Sequence, residues 1–297
     1  MTILCVSGSR ADYGYLLPVA KALGVKMWDM SDMTVGRDVP ESIATRCGNV
    51  LCLVGAVIAK QKPRMMVVVG DRWEILSACQ AAVLAGVPIA HIGAGERTLG
   101  AYDDKFRAAI EALAELRFAL TMHGLNGKGH LLAGCTSVQP PAEIPAGDGT
   151  AIVALYPETA GDDLSHLLAP ICAMLKERGL TPLVIGANPD VGASRFAGES
   201  LPLEEFHARL AAASLIIGNS SAGIIEAPIL CTPTVNIGRR QAGRPQATSV
   251  FQADGPGYIA EATVKALAFG KQRVESPYYR PDAVQTIVNA IHDYLEK

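Results

Sequence analysis

The sequence predicts an α/β protein with two Rossmann-like, doubly wound domains. Short β-branched runs alternate with longer Ala- and Leu-rich segments. The runs are continuously apolar, which is typical of parallel strands covered by helices on both faces. The 297 residues are enough for about two domains, and a Pro- and Gly-rich segment, 136–150, divides the chain into similar halves. We therefore predict domains at 1–142 and 143–297.

The individual elements follow this rhythm. Strands are predicted at 3–6, 65–69, 88–92, 151–155, 182–185, 215–217 and 234–237. Helices are predicted at 12–23, 41–61, 73–86, 103–117, 161–179, 203–213, 222–231, 258–269 and 282–296. Strands separated by helices form right-handed βαβ units, and ligands of such sheets bind at the carboxyl ends of the strands. A cleft between the two domains would collect loops from both.

The composition excludes several classes of protein. A formal charge of −3 and a pI near 6.1 give no general attraction for nucleic acid or anionic lipid. The longest apolar run, 51–59, is too short to span a bilayer, and no basic segment precedes the N-terminal apolar stretch. Seven cysteines without a Cys-x-x-Cys pair indicate buried thiols in a reducing, cytoplasmic compartment. No metal-ligand spacing occurs, so we expect no metal, and the basic cluster at 238–244 in an acidic chain favours an anionic small molecule over nucleic acid.

Two loops of the first half place charged residues directly after apolar strands. Arg10 lies where a helix begins, and its guanidinium beside free N–H groups suits an anion. The alternative is an ordinary turn in which Asp12 caps the helix. Asp71 and Arg72 follow the strand at 65–69, where a parallel sheet delivers side chains to a site. The alternative is that Asp71 is a cap and Arg72 is solvated.

A third loop carries three carboxylates within nine residues, Glu96, Asp103 and Asp104. Such a group could transfer protons if it is partly desolvated. Asp103 is equally suited to a helix N-cap. His91, within the preceding strand, is typical of a hydrogen-bonded core residue rather than a catalyst.

The second half carries a phosphate-type turn and a basic loop. Ser220 and Ser221 place consecutive hydroxyls at a helix N-terminus, the usual arrangement for binding phosphate. Glu226 lies one turn further, at a suitable distance for a ribose diol. The loop at 238–244 contains three arginines that would complement a diphosphate, although a solvated basic loop remains the alternative.

These motifs together resemble one family. They are Gly-Ser-Arg-Ala-Asp-Tyr at 8–13, Gly-Asp-Arg at 70–72, His-Ile-Gly-Ala-Gly-Glu at 91–96, Gly-Ala-Tyr-Asp-Asp at 100–104, Gly-Asn-Ser-Ser-Ala-Gly at 218–223, Gly-Arg-Arg-Gln-Ala-Gly-Arg at 238–244 and Phe-Gly-Lys-Gln at 269–272. In this order they resemble the hydrolysing UDP-N-acetylglucosamine 2-epimerases of sialic-acid-type pathways. The resemblance implies a GT-B fold with UDP in the cleft, a final helix that can cross back onto the first domain, and an oligomer.

The resemblance also implies roles for single residues. The matched acid/base carboxylates are Asp71, Glu96 and Asp103. The matched substrate-binding residues are Arg10 and Arg72 near the phosphates, Ser220 and Ser221 at the diphosphate, Glu226 at the ribose, Arg240 at the nucleotide, and Asn188 and Tyr156 in the cleft. Three positions depart from the family pattern: Gly93 where some members have Glu, Tyr156 where His is usual, and Ala108 in place of another His.

The implied reaction converts UDP-N-acetylglucosamine to N-acetylmannosamine and UDP. A base removes the C2 proton as UDP leaves C1, and water then adds at C1 while C2 is reprotonated from the other face. No cofactor is implied, because the UDP-sugar is the substrate. The residues leave two alternatives open: a GT-B glycosyltransferase that uses a UDP-sugar, and a non-catalytic UDP-sugar-binding protein.

Overall fold

The computed structural model describes residues 2–30, 40–98, 103–125, 129–157, 164–186, 196 and 198–297. The chain forms two compact units. The first comprises Met1–Arg97, Tyr102–Ser137 and Arg280–Lys297, and the second comprises Thr98–Ala101 and Val138–Tyr279. The passage into the second unit therefore precedes the predicted boundary at 142. One reason is that Arg273 donates to the carbonyls of Pro141 and Ala142, which fixes these linker residues on the second unit.

The first unit is a six-stranded parallel sheet flanked by helices. Its strands are β1 (Ile3–Ser7), β2 (Met27–Asp29), β3 (Met65–Val69), β4 (Ile89–Ile92), β5 (Leu116–Ala119) and β6 (His130–Leu132), in the spatial order β2-β1-β3-β4-β5-β6. Its helices are α1 (Arg10–Leu23), α2 (Pro40–Gln61), α3 (Trp73–Leu84) and α4 (Asp104–Leu113). The α9 helix (Ala283–Leu295) also belongs to this unit and packs on α1 through a buried stripe that includes Ile287, Ile291 and Leu295.

The second unit repeats the same strand order in a five-stranded parallel sheet. Its strands are β7 (Thr150–Ala154), β8 (Thr181–Val184), β9 (Leu215–Gly218), β10 (Thr234–Ile237) and β11 (Val250–Ala253), arranged as β11-β10-β9-β7-β8. Its helices are α5 (Leu168–Glu177), α6 (Leu203–Ala212), α7 (Ala222–Ile229) and α8 (Ile259–Phe269). This confirms the predicted α/β class with two doubly wound parallel sheets.

Four strands escape the sequence prediction: β2, β5, β6 and β11. They are three or four residues long, and each includes one polar residue: Asp29, Arg117, His130 and Gln252. The predicted helix at 103–117 is too long, because α4 ends at Leu113 and Ala114 already has an extended backbone. The chain then enters β5 at Leu116.

The α2 helix has a segment, Ser42–Gln61, that is long and apolar enough to cross a membrane by length and composition alone. This segment extends beyond the apolar run at 51–59 towards the N-terminus of the helix, through a stretch that carries one charge, Arg46. Val50, Val54 and Ile58 of this helix lie in the core of the first unit. A single such helix is weak support for a membrane span, since core helices share its composition. The absence of a membrane partner stays a prediction.

Candidate active site

Each sheet has a switch point at which its strand order reverses, and doubly wound folds bind ligands there. In the first unit it lies between β1 and β3, and in the second between β7 and β9. The polar loops that follow these four strands are therefore the candidate site of each unit. These loops and the first turn of α1 contain Asp12, Asp71, Tyr156 and Asn219.

The loop after β1 buries a carboxyl group. Ser9 is the N-cap of α1: its Oγ accepts from the Asp12 backbone N–H (3.2 Å) and donates to Asp12 Oδ2 (2.9 Å). The cap is therefore Ser9 and not Asp12, whose carboxyl group accepts from the hydroxyl of the cap. A Cβ on Gly70, whose φ is +89°, would lie 2.7 Å from Asp12 Oδ1, so the loop after β3 closes directly over this carboxyl group.

The surroundings of Asp12 favour its neutral form. The pKa of Asp12 is raised to about 8, chiefly by burial and also by the nearby Glu74 and Asp71, against the opposing effect of Arg72 and Ser9. The residue is only 7% exposed. Asp12 is thus a largely protonated carboxyl group at neutral pH, next to the ionisable residues that follow β3.

Asp71 is held by a buried arginine of α4. Arg107 Nη2 donates to Asp71 Oδ2, while its Nη1 donates to the carbonyl of Gly93 at 2.7 Å. Arg107 Nε also lies 3.6 Å from Asp104 Oδ1. Burial alone would lower the pKa of the Arg107 guanidinium, but Asp71 and Asp104 raise it above its usual value. The Asp71 carboxylate, 22% exposed, is thereby fixed in orientation yet accessible.

Two further polar residues of the first unit, Arg72 and His91, lie in or contact the loop that follows β3. Arg72, predicted near the phosphates, lies at the N-cap position of α3, with its Nε 2.5 Å from Oε1 of the buried Glu74. His91 is fully buried and its Nε2–H donates to the Gly70 carbonyl at 2.7 Å. Burial lowers the pKa of His91 to about 4, so its imidazole is neutral at pH 7. His91 therefore supports the turn at Gly70.

Glu96 and Asp103 differ in their surroundings. Glu96 is buried, and its Oε1 accepts from the backbone N–H groups of Leu120 and Thr121 and from the Thr121 hydroxyl, at 3.0–3.1 Å. Such contacts are those of a residue that positions a loop. Asp103 occupies the N-cap position of α4, where its side chain makes no capping hydrogen bond and its carbonyl accepts from Arg107 N–H. Its carboxylate is partly exposed.

In the second unit, Asn219 joins the loops after β7 and β9. Its Oδ1 accepts from Tyr156 N–H at 2.7 Å and its Nδ2 donates to the Tyr156 carbonyl at 2.9 Å. The two loops approach closely because Gly218 lacks a side chain: a Cβ there would lie 2.0 Å from the Ala154 carbonyl oxygen, at a φ of +146°. The backbone of Tyr156 is therefore fixed beside the start of α7.

The loop after β10 completes this cluster. Arg240 Nη1 (3.3 Å) and Gln241 Nε2 (2.8 Å) both donate to the Asn219 carbonyl. The Arg240 guanidinium carbon lies 5.2 Å from the centre of the Tyr156 ring, a cation–π arrangement. Three loops thus converge on Asn219, and Arg240 is stacked on the Tyr156 ring.

The start of α7 carries the predicted phosphate and ribose residues. Ser221 occupies the N-cap position without a capping side-chain hydrogen bond, and Ser220 Oγ accepts from Ala222 N–H at 3.3 Å. Glu226, four residues into the helix, pairs with His207 Nε2 of α6 at 3.1 Å. Both serines thus lie at the amino end of α7, as the sequence predicts, and their binding of phosphate stays a prediction.

The remaining predicted residues fall outside this description. Asn188 lies outside the described residues, as does the side chain of Arg10, although α1 begins at Arg10. Asp12, Arg107, Asn219 and His207 are in or beside the two clusters but are not among the predicted site residues. The Ser-x-x-Asp capping pattern at 9–12 was the available signal for Asp12; the others depend on contacts between distant segments. Within the described ranges no three His, Cys, Asp or Glu residues cluster as metal ligands.

The fold and its sites define a GT-B-type protein: two parallel, doubly wound α/β units with polar residues at each switch point. The sequence profile described as UDP-N-acetylglucosamine 2-epimerase matches residues 1–126 and 187–292. The chain belongs to this family.

Similar proteins agree with this assignment. The chain is 25% identical to the Escherichia coli polysialic acid biosynthesis protein P7, over 99% of this chain and 86% of that protein. It is 24% identical to the UDP-N,N'-diacetylbacillosamine 2-epimerase (hydrolyzing) of Legionella pneumophila, over 84% and 77% of the two chains. A Methanocaldococcus jannaschii UDP-GlcNAc 2-epimerase, solved with UDP-GlcNAc and UDP, superposes with a TM-score of 0.77 at 16% identity, covering 99% and 100% of the chains.

Proposed function

We propose that this protein is a hydrolysing UDP-N-acetylglucosamine 2-epimerase, which converts UDP-GlcNAc to N-acetylmannosamine and UDP. The observation that carries the proposal is Asp71, a partly exposed carboxylate held by Arg107 at the switch point of the first unit. Removal of a weakly acidic C2 proton requires a base with a fixed orientation. Membership of the epimerase family supports a UDP-hexosamine as the substrate.

The first unit supplies the groups for proton transfer. In the proposed reaction a carboxylate removes the C2 proton while the C1–oxygen bond to UDP breaks, which leaves a C1–C2 double bond. Water then adds its oxygen to C1, and a proton returns to C2 from the opposite face. Asp71 and Asp103 are the proposed acid/base pair. Because the Oε1 of Glu96 is occupied by three donors, we assign Glu96 to holding the Leu120–Thr121 turn.

The second unit supplies the groups that bind the nucleotide. Ser220, Ser221 and the amino end of α7 are proposed to bind the diphosphate, with Arg240 offsetting its charge. A diphosphate leaves more readily when its developing charge is stabilised, so these residues contribute to catalysis as well as to affinity. Arg10 and Arg72 of the first unit are proposed as further phosphate ligands. No cofactor takes part in this scheme.

The proposal is tested by incubating the purified chain with UDP-GlcNAc in D2O and following the reaction by NMR. We expect release of UDP together with N-acetylmannosamine that carries deuterium at C2. UDP-ManNAc with no free UDP would leave an epimerase but overturn the hydrolysing step. UDP release without deuterium at C2 would overturn proton abstraction. The same assay with UDP-N,N'-diacetylbacillosamine determines whether the hexosamine ring carries a second acetamido group.

A further inference from the structure

His207 occupies an apolar-face position of α6 that would normally be filled by an aliphatic residue. The inward side of this helix is formed by Leu203, Phe206, His207 and Leu210, at helical spacing. Its charged residues point outward: Arg209 and Glu205 form a solvent-exposed pair. A histidine on the inward face is stable only if a polar group meets it. That group is Glu226 of α7, whose Oε1 accepts from His207 Nε2 at 3.1 Å.

The helix that carries His207 is anchored close to this contact. Lys271 Nζ donates to the carbonyls of Ala211 (2.8 Å) and Ala213 (3.1 Å) at the carboxyl end of α6, and to Thr232 Oγ1 (2.8 Å). The Thr232 hydroxyl in turn donates to the Leu210 carbonyl at 2.7 Å. These bonds fix α6 within one turn of His207. The imidazole is therefore presented to Glu226 from a rigid support.

The pair is largely shielded from water, with the His207 side chain 14% exposed and the Glu226 side chain 10% exposed. A hydrogen bond from a neutral or charged imidazole to a carboxylate restricts rotation of the carboxylate plane. A carboxylate that binds two neighbouring hydroxyls needs a defined plane, because both hydrogen bonds depend on its orientation. A long side chain held this way loses less rotational entropy when its ligand arrives.

We propose that His207 is a positioning residue for recognition of the ribose: it holds the Glu226 carboxylate in the orientation that accepts from the two ribose hydroxyls of a uridine diphosphate. This inference rests on the proposed function, and it takes Glu226 as the residue that binds the ribose of the UDP-sugar. It adds a residue of α6, a helix that carries none of the predicted site residues, to the determinants of nucleotide affinity.

The test measures the binding of two ligands by calorimetry: UDP, and 2',3'-dideoxyuridine diphosphate, which lacks both ribose hydroxyls. We expect His207→Leu to weaken UDP binding about 10-fold, whereas His207→Gln, whose amide N–H can replace the imidazole donor, stays within about 3-fold of the wild type. For the dideoxy ligand, the wild type and His207→Leu should bind equally. His166→Leu, the same change at an exposed histidine of the second unit, serves as the matched control.

Each other outcome overturns the inference in a distinguishable way. Equal losses for both ligands in His207→Leu would mean a general structural role, as would a failure of His207→Gln to retain affinity. Unchanged UDP affinity in His207→Leu would exclude any role. If the wild type bound UDP and the dideoxy ligand equally, the assignment of Glu226 to the ribose would be wrong, although the protein would still bind UDP. If the wild type bound neither ligand, the proposed function itself would fail.

Discussion

Asp71 and Arg107 form an ion pair in which the arginine is buried and the carboxylate remains partly accessible. The guanidinium is fixed by a second bond to the Gly93 carbonyl at 2.7 Å, in a loop where Gly93 has a φ of +88°. This arrangement links the switch point of the first sheet to α4. It explains how a loop residue can keep one orientation without a neighbouring strand to hold it.

Replacement of the proposed base tests its role directly. Asp71→Asn keeps the shape of the side chain and a hydrogen-bond acceptor for Arg107, but it removes the group that takes the proton. We expect turnover of UDP-GlcNAc to fall at least about 100-fold, with UDP affinity within about 3-fold of the wild type. Asp293→Asn, at an exposed position of α9, is the matched control. Retention of full turnover in Asp71→Asn would remove Asp71 from the mechanism.

Loss of the arginine should cost stability as well as activity. Arg107→Met leaves the carboxylates of Asp71 and Asp104 without their cation, and we expect the free energy of unfolding to fall by about 3 kcal/mol. The double variant Arg107→Met/Asp71→Asn removes one of the uncompensated charges and should recover part of this loss. Urea denaturation of the two variants measures both effects. Additive losses in the double variant would show that the pair is not coupled.

The sequence predicts the sheets better than the sites. Long apolar runs such as 65–69 identify central strands because both faces are buried, and the strand–helix alternation then determines a parallel sheet. Among the site residues, Ser220 and Ser221 are recognisable because a helix N-terminus is a local feature. Arg107 and Asn219 are not, because their partners lie 36 and 63 residues away in the chain. Glu96 depends on distant contacts in the same way: only the folded chain shows that its Oε1 accepts from a turn 24 and 25 residues away.

The protonation of Asp12 predicts how stability depends on pH. Burial raises the pKa of Asp12 from 3.8 to about 8, so between these values the folded state binds more protons than the unfolded state. The free energy of unfolding must then fall as pH rises, by up to about 1.4 kcal/mol per pH unit. Asp12→Asn should lack this decline.

The buried His91 determines the pH range in which the comparison of Asp12→Asn with the wild type is simplest. Burial lowers the pKa of His91 from 6.5 to about 4, so His91 makes stability rise with pH between these values. The comparison of Asp12→Asn with the wild type therefore belongs between about pH 7 and pH 8, where His91 is neutral in both states. Urea denaturation at several pH values gives the slopes. Identical slopes for the two proteins would mean that Asp12 is ionised in the folded state.

The Tyr156 ring should matter for nucleotide affinity through Arg240. Tyr156→Phe keeps an aromatic face under the Arg240 guanidinium, whereas Tyr156→Ala removes that face and with it the cation–π contact. We expect Tyr156→Ala to weaken UDP binding about 5-fold and Tyr156→Phe to stay within about 2-fold. Calorimetric titration with UDP distinguishes them. Equal losses in both variants would assign the effect to the phenol hydroxyl instead of the ring.

The ammonium group of Lys271 should stabilise the second unit by capping α6. Its Nζ donates to the carbonyls of Ala211 and Ala213 and to the Thr232 hydroxyl. Lys271→Met removes these three hydrogen bonds and keeps an apolar side chain of similar length. We expect the free energy of unfolding to fall by about 2 kcal/mol. Lys265→Met, which breaks an exposed pair with Glu261, should change it far less, because water screens an exposed pair. Urea denaturation gives both values, and similar small losses in the two variants would mean that water replaces the ammonium group at no cost. The α6 helix also carries His207. If Lys271→Met lowers the free energy of unfolding by the expected amount, it should also weaken UDP binding, which calorimetric titration with UDP measures.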